Sequence, residues 1–165
     1  MTNHTSTLST LPYYPTHIMA EAVGPYVRIA ASIGSLIQFS ETIFEYIRKT
    51  TGANDEKKAL LLEISATNIL LKELERKVKA PEWEKTLESL QKPDGPLELY
   101  RSALKSAEEK LEASKHRFTR VTQRFVWYFQ KDEFTEILAK IGRSKSTFDT
   151  ILNLYPCTLG QNRLI

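Results

Sequence analysis

Residues 55–80 read DEKKALLLEISATNILLKELERKVKA, and this stretch decides the fold. Its apolar residues recur at steps of three and four, which is the period of an α-helix that buries one face. We predict a helix that begins at the Asn54-Asp55 cap and ends before Pro81. Its buried face comprises Leu60, Ile64, Thr67, Leu71, Leu74 and Val78.

The preceding segment, residues 26–50 (YVRIAASIGSLIQFSETIFEYIRKT), is apolar on more than one side. One stripe consists of Ile29, Ile33, Leu36, Ile43 and Ile47, and an adjacent one of Val27, Ala30, Gly34, Ile37 and Phe44. Pro25 fits the first turn of this helix, and Thr51-Gly52 ends it. Because two stripes need two sets of neighbours, we expect a central helix packed on several sides.

Three further helices are expected downstream. A short helix over residues 82–90 buries Trp83, Leu87 and Leu90, and a sharp turn containing Gly95 follows at residues 92–96. A long helix from Leu97 to about Phe118 has charged outer faces and an inner side of Leu97, Tyr100 or Arg101, Leu104, Ala107 or Glu108, and Leu111. The last helix is capped by Asp132 and stopped by Pro156, with an inner face of Phe134, Ile137 or Leu138, Ile141, Lys145, Phe148 and Leu152. The fold class is therefore all-α, an up-and-down-type bundle of four long helices plus one short helix.

The 165 residues are enough for a single domain with one hydrophobic core. We divide the chain into a disordered leader at 1–18, a helical bundle at 19–155 and a short C-terminal tail at 156–165. The leader lacks the features of a secretory signal or a transit peptide. Since Cys157 is the only cysteine, no intramolecular disulfide can form, and a cytoplasmic location is expected.

Residues for catalysis are not gathered in the sequence. The three histidines lie in the leader or on a charged helix, and the motifs of phosphate-binding loops and of hydrolase nucleophile elbows do not occur. Glu109, Glu112 and His116 share a helix but lack the Glu-x-x-His spacing of di-iron bundles, so we interpret them as a solvated face. We expect no enzymatic activity, no cofactor and no metal.

Positive charge is concentrated in residues 115–131, which hold five basic residues and no acid, within a chain of net charge +3. This basic patch consists of Lys115, Arg117, Arg120, Arg124 and Lys131. With the aromatic residues at 125–129, it could bind anionic lipid or stack on nucleic acid. We interpret Trp127 and Phe129 as core residues that fix the last loop, leave the role of the charges open, and expect no nucleic-acid partner.

The first helix is the second candidate site, through Ile29, Ala30, Ile33, Gly34, Leu36 and Ile37. Small residues four apart, as in Ala30-x-x-x-Gly34, let helices approach closely in membranes. Charges at Arg28 and Glu41 confine the apolar run to well under the roughly 20 residues of a stable span. The segment is either a buried core helix or a helix that inserts after release from the bundle.

Four stretches carry a likeness to a known family: Met19–Gly24 with Ile29–Ile33, the run Leu60–Ser65, the turn Pro93–Glu98, and residues 127–133 (WYFQKDE). From Met19 to about Leu154 the chain resembles the HeLo-like N-terminal domain of fungal STAND or NLR-type proteins, whose motif W-P-F-x-K-x-E is similar to residues 127–133. Tyr128 departs from the family's proline, and no NTPase motif follows the bundle.

The resemblance implies a helical bundle from a family implicated in regulated cell death and heterokaryon incompatibility, some of whose members permeabilise membranes through the N-terminal helix. It also implies that Met19 corresponds to the residue at which members of the family usually begin. We expect an effector that oligomerises on activation and moves conditionally to the plasma membrane. The alternative is a signalling adaptor that binds helical protein partners, or itself, without insertion. A third and weaker hypothesis is a helical bundle that binds nucleic acid through residues 115–131.

Removal of residues 1–18 should leave the fold intact, because the leader has no apolar periodicity with which to pack. We expect the melting temperature of the chain starting at Met19 to match that of the full chain in thermal unfolding followed by circular dichroism. A large fall in melting temperature would contradict this prediction.

Overall fold

Helices account for nearly all of the described chain. The structure is a computed structural model that describes residues 25–52, 55–78, 83–118, 127 and 129–161. The helices are α1 (Pro25–Lys49), α2 (Asp55–Lys77), α3 (Glu84–Leu90), α4 (Pro96–Phe118) and α5 (Lys131–Gln161). The predicted all-α bundle of four long helices and one short helix is confirmed.

The four long helices form a ring in which each packs mainly against two others. Both α1 and α5 pack against α2 and α4, so α1 and α5 lie at opposite corners. The short α3 packs on α1 and connects α2 to α4. Lys110, late in α4, pairs with Glu133 at the start of α5, so these helices are antiparallel. Trp127, just before α5, bonds to Glu56 in the first turn of α2, so α2 and α5 run in parallel.

The predicted inner faces form the core. Five of the six positions predicted for the second helix are buried in α2, and the sixth, Val78, is buried just after its end. In α4 the first alternative is buried at each ambiguous position. In α5, Ile137 is buried and Leu138 only half-buried, which resolves the choice between them. Lys145 is half-buried and pairs with Glu63 of α2, Nζ to Oε2 at 2.5 Å, because the long side chain brings its charge to the edge of the core. Of the short helix's predicted face, Trp83 and Leu90 are buried, while the side chain of Leu87 lies outside the described residues.

The prediction that α1 is a central helix is wrong. Its first stripe is fully buried, and Ile37 of the second stripe is buried as well, but Val27 is 46% exposed. Residues 31, 35 and 38 also face outwards. α1 does pack on several sides, as predicted, because it contacts α2, α4 and α3, but it occupies a corner of the ring and one side of it faces solvent.

The predicted stop at Pro156 is also wrong, because α5 continues to Gln161. Proline lacks the N–H that would bond to residue 152 and its ring crowds that turn, at a cost of about 3 kcal/mol, but the other residues of the helix keep their own bonds. The last helix therefore ends beyond its predicted stop.

Gly95 is required by the turn between α3 and α4. Its N–H donates to the Lys92 carbonyl at 2.8 Å, and its own carbonyl accepts from the Leu99 N–H at 2.9 Å. A Cβ atom at this position would lie 2.7 Å from the Leu90 carbonyl oxygen, closer than real side chains approach. The structural role predicted for Gly95 thus has a steric basis.

A buried hydrogen-bond network joins three helices. Ser40 of α1 donates from Oγ to Asn68 Oδ1 of α2 at 2.6 Å, and the same Oγ lies 2.9 Å from Tyr100 Oη of α4. Since Ser40 has one hydroxyl hydrogen and gives it to Asn68, Tyr100 must be the donor to Ser40. Burial raises the pKa of Tyr100 above its ordinary value, which keeps the phenol protonated for this donation.

Ser40→Ala should destabilise the fold by about 1–3 kcal/mol, because it leaves the buried Tyr100 hydroxyl and the Asn68 carbonyl without their partner. Tyr100→Phe should cost about 1 kcal/mol. The double variant should lose less free energy of unfolding than the two single variants together. The second substitution removes a hydroxyl group that the first has already left without a partner. Urea unfolding of the four proteins measures this coupling, and strictly additive losses would contradict a hydrogen bond between Ser40 and Tyr100.

Candidate functional site

The N-terminal half of α1 packs against the bundle through apolar contacts. Of the predicted site residues, four are buried and Ala30 and Gly34 are half-buried; the buried ones are Ile29, Ile33, Leu36 and Ile37. A Cβ atom on Gly34 would lie 2.9 Å from Glu75 Oε1, the end of a flexible side chain of α2 that can move aside. Gly34 therefore lies beside α2, but this contact does not require a glycine.

The outer side of the same half-helix carries no charge. Ala31, Ser35 and Gln38 are exposed, and no ionisable side chain occurs between Arg28 and Glu41. Among the described residues, no side chain from 27 to 39 takes part in an ion pair or a side-chain hydrogen bond. We refer to residues 29–39 as the apolar half of α1.

Polar attachment of α1 to its neighbours begins at residue 40. Ser40 belongs to the buried network, and Glu41 pairs with Lys72 of α2, Oε1 to Nζ at 2.7 Å. The apolar half is thus held by contacts that an apolar solvent could replace, whereas the rest of α1 is also held by hydrogen bonds and charge. Within the described ranges, no helix is long and apolar enough to cross a membrane.

Most of the basic patch lies outside the residues that the structure describes. Arg120 and Arg124 lie outside the described residues, as do the side chains of Lys115 and Arg117 at the end of α4. Lys131 is described, and it is exposed at the first position of α5. The spatial grouping of these five charges therefore stays a prediction.

Trp127 and Phe129 form an aromatic cluster with Phe134 at the start of α5. The ring centroids of Trp127 lie 4.6 Å from Phe129 and 6.1 Å from Phe134. Trp127 is 8% exposed, and its Nε1 donates to Glu56 Oε2 at 3.2 Å, while its backbone N–H donates to the Thr51 carbonyl at 3.3 Å. Trp127 is therefore packed in the core, as predicted, and it ties the loop before α5 to the start of α2.

An open groove of about 740 Å³ between α1 and α4 was not predicted from the sequence. Four glutamates line it: Glu41, Glu45, Glu108 and Glu112. Tyr46 lies among them, and burial, followed by the charges of Glu112 and Glu108, raises the pKa of its phenol. Its acids come from two helices, so the sequence spacing of either helix alone could not reveal it. Elsewhere too, the described residues hold no group of three or more side chains fit to bind a metal ion.

A second missed feature is an exposed apolar stripe on α2. Leu62 is 68% exposed and Ile69 is 67% exposed, seven residues apart on the side of the helix that faces solvent. The signal was present in the sequence, because both residues are apolar yet fall outside the predicted inner face. Large apolar side chains grouped on an outer helix face are typical of interaction surfaces.

Comparison with known proteins does not assign the chain to a family. No protein-family model matches it, and no curated protein or solved structure is significantly similar to it. Functional inference therefore depends on the site geometry and on the resemblance in the sequence.

Trp127→Ala should lower the free energy of unfolding by about 3–5 kcal/mol, because it removes the centre of the aromatic cluster and the hydrogen bond to Glu56. Glu56→Gln, which keeps a side-chain oxygen as an acceptor, should cost less than about 1 kcal/mol. Denaturant unfolding measures both variants. If Trp127→Ala kept full stability but abolished binding to anionic vesicles, the ring would be a binding platform.

Proposed function

We propose that this chain is a non-enzymatic effector domain of the HeLo-like class it resembles, and that it acts at membranes through the apolar half of α1. The observation that carries the proposal is the sharp division of α1 at residue 40. Before it, attachment to the bundle is apolar and the outer side is uncharged; after it, Ser40 and Glu41 make polar ties to α2 and α4.

Lipid can replace the contacts of the apolar half at little cost. Ile29, Ile33 and Leu36 would exchange a protein interior for hydrocarbon, and both environments exclude water. The exposed Ser35 and Gln38 add modest polarity but no charge. Leaving the bundle therefore costs least where lipid is present, which is the behaviour expected of a conditional effector.

The proposed insertion is shallow. At 1.5 Å per residue, the apolar half spans about 16 Å, roughly half of the hydrocarbon core. Arg28 and Glu41 at its two ends would stay near water or headgroups. Permeabilisation by such a segment requires several copies, in agreement with the expected oligomer on activation.

The alternative function is a signalling adaptor that binds helical partners and never inserts. The exposed Leu62 and Ile69 favour it, because they offer an apolar contact surface that needs no rearrangement of the bundle. Lipid dependence separates the two functions.

Ser35→Asp tests the membrane function, because the position is exposed in the folded bundle and lies in the middle of the apolar half. An aspartate there adds to the cost of placing the segment in hydrocarbon, by up to the roughly 2.5–3.5 kcal/mol that a charge costs at a bilayer centre. We expect the variant to stay folded by circular dichroism and to lose dye release from anionic liposomes.

Ser146→Asp is the matched control, since it makes the same chemical change at an exposed position of α5. Ser146→Asp changes the net charge by the same amount as Ser35→Asp. If insertion of α1 causes the dye release, Ser146→Asp should release as much dye as the wild type. Equal loss in both variants would indicate only charge repulsion from the lipid. If the wild type starting at Met19 releases no dye from anionic liposomes, the adaptor function replaces the membrane function.

A further inference from the structure

The exposed stripe of α2 has an order of residues that makes it complementary to itself. Apart from the adjacent Ser65 and Ala66, successive members are three or four residues apart, so they share one helix face. They are Asp55, Lys58, Leu62, Ser65, Ala66, Ile69, Glu73 and Arg76. Leu62 and Ile69 lie at the centre with small residues between them, and an acid and a base stand at each end.

When the stripe is read in the reverse direction, an apolar residue falls opposite each large apolar residue, and an opposite charge falls opposite each charge. If two copies of α2 lie antiparallel with a two-fold axis between Ser65 and Ala66, Leu62 of one copy faces Ile69 of the other. At the ends, Lys58 faces Glu73 and Asp55 faces Arg76. A parallel pairing would instead set each charge against its own copy, which is repulsive. The charges therefore select the antiparallel arrangement.

From this complementarity we infer that the α2 stripe is a homodimer interface, whose occupant is the same stripe of a second copy of this chain. An isologous interface uses one patch on both subunits and requires that patch to complement itself. A patch selected for a different partner has no need of this property. The inference goes beyond the membrane proposal and does not depend on it.

The charged ends already form ion pairs within the helix. Lys58 Nζ lies 3.7 Å from Asp55 Oδ1, and Arg76 pairs with Glu73. Antiparallel pairing would join each pair to the opposite pair of the second copy and create two clusters of four alternating charges. Exposed ion pairs contribute little affinity, so these clusters set orientation while the apolar centre supplies the attraction.

The apolar surface extends beyond α2 on both sides. A groove between α2 and α5 is lined in part by Ala59, Leu62 and Leu138, and a groove between α1 and α2 in part by Phe44 and Ile69. Phe44 and Leu138 are half-buried, so part of each side chain is accessible there. A helix docked on the stripe would therefore meet some apolar surface on either side of its contact line, next to polar residues such as Glu63 and Lys72.

Sedimentation equilibrium of the full chain over a concentration series tests the dimer. We expect a reversible monomer–dimer equilibrium for the wild type, and a monomer for Leu62→Lys at every concentration. Leu154→Lys is the matched control, because Leu154 is 63% exposed on α5, away from the stripe. Its dimerisation should be unchanged. A monomeric wild type, or a dimer that persists in Leu62→Lys, would overturn the inference.

Charge exchange tests the pairing. Lys58→Glu places like charges opposite each other at two symmetric sites and should weaken dimerisation by about tenfold. Adding Glu73→Lys should restore it, and both changes suit the helix dipole, so the fold should tolerate them. Failure of the double variant to recover would contradict the antiparallel register.

Oxidative crosslinking, in a background where Cys157 is replaced by serine, tests the orientation. Ser65→Cys lies next to the proposed two-fold axis and should give a reducible covalent dimer. Lys58→Cys should not crosslink, because its two copies would lie about 22 Å apart along the helices. Efficient crosslinking through residue 58 would indicate parallel pairing and overturn the inference.

Discussion

A single hydroxyl group, that of Ser40, fixes how three of the four long helices meet. It donates to Asn68 and accepts from Tyr100, so α1, α2 and α4 can form this network in only one rotation and one register. Apolar contacts alone tolerate small shifts between helices, whereas a buried hydroxyl left without a partner costs about 1–3 kcal/mol. The network therefore gives specificity to a core that is otherwise held by non-directional forces.

Besides its buried apolar face, the fourth long helix is attached by charge at the edges of the core. Lys110 of α4 reaches Glu133, and Glu63 of α2 reaches Lys145, so α5 is paired with both of its neighbours. Trp127 adds a third attachment at the start of α2. Because α1 lies across the ring from α5, movement of its apolar half would disturb none of these attachments directly.

The sequence was enough to predict the helices and their buried faces, since the period of three to four residues is a local property. The inner positions of α2 could be predicted for this reason, and the burial of Trp127 could be predicted because aromatic side chains beside helices usually pack in the core. The corner position of α1 could not, because two apolar stripes fit a central helix as well as a corner helix. The acidic groove and the Ser40 network also required the order of the helices around the ring. The continuation of α5 beyond Pro156 shows that proline's local preference does not by itself end a helix.

The two proposed surfaces lie on different helices and have different chemistry. The apolar half of α1 is uncharged on its outer side, as lipid requires, whereas the α2 stripe ends in charged pairs that only a protein surface can match. Pairing through α2 would join two copies of α1 in one particle, and the second would reach a membrane at high effective concentration once the first had bound. Self-association would thus strengthen membrane action without adding any contact to lipid. Each surface can still operate alone, because a change at Ser35 leaves the stripe intact and a change at Leu62 leaves the apolar half of α1 intact.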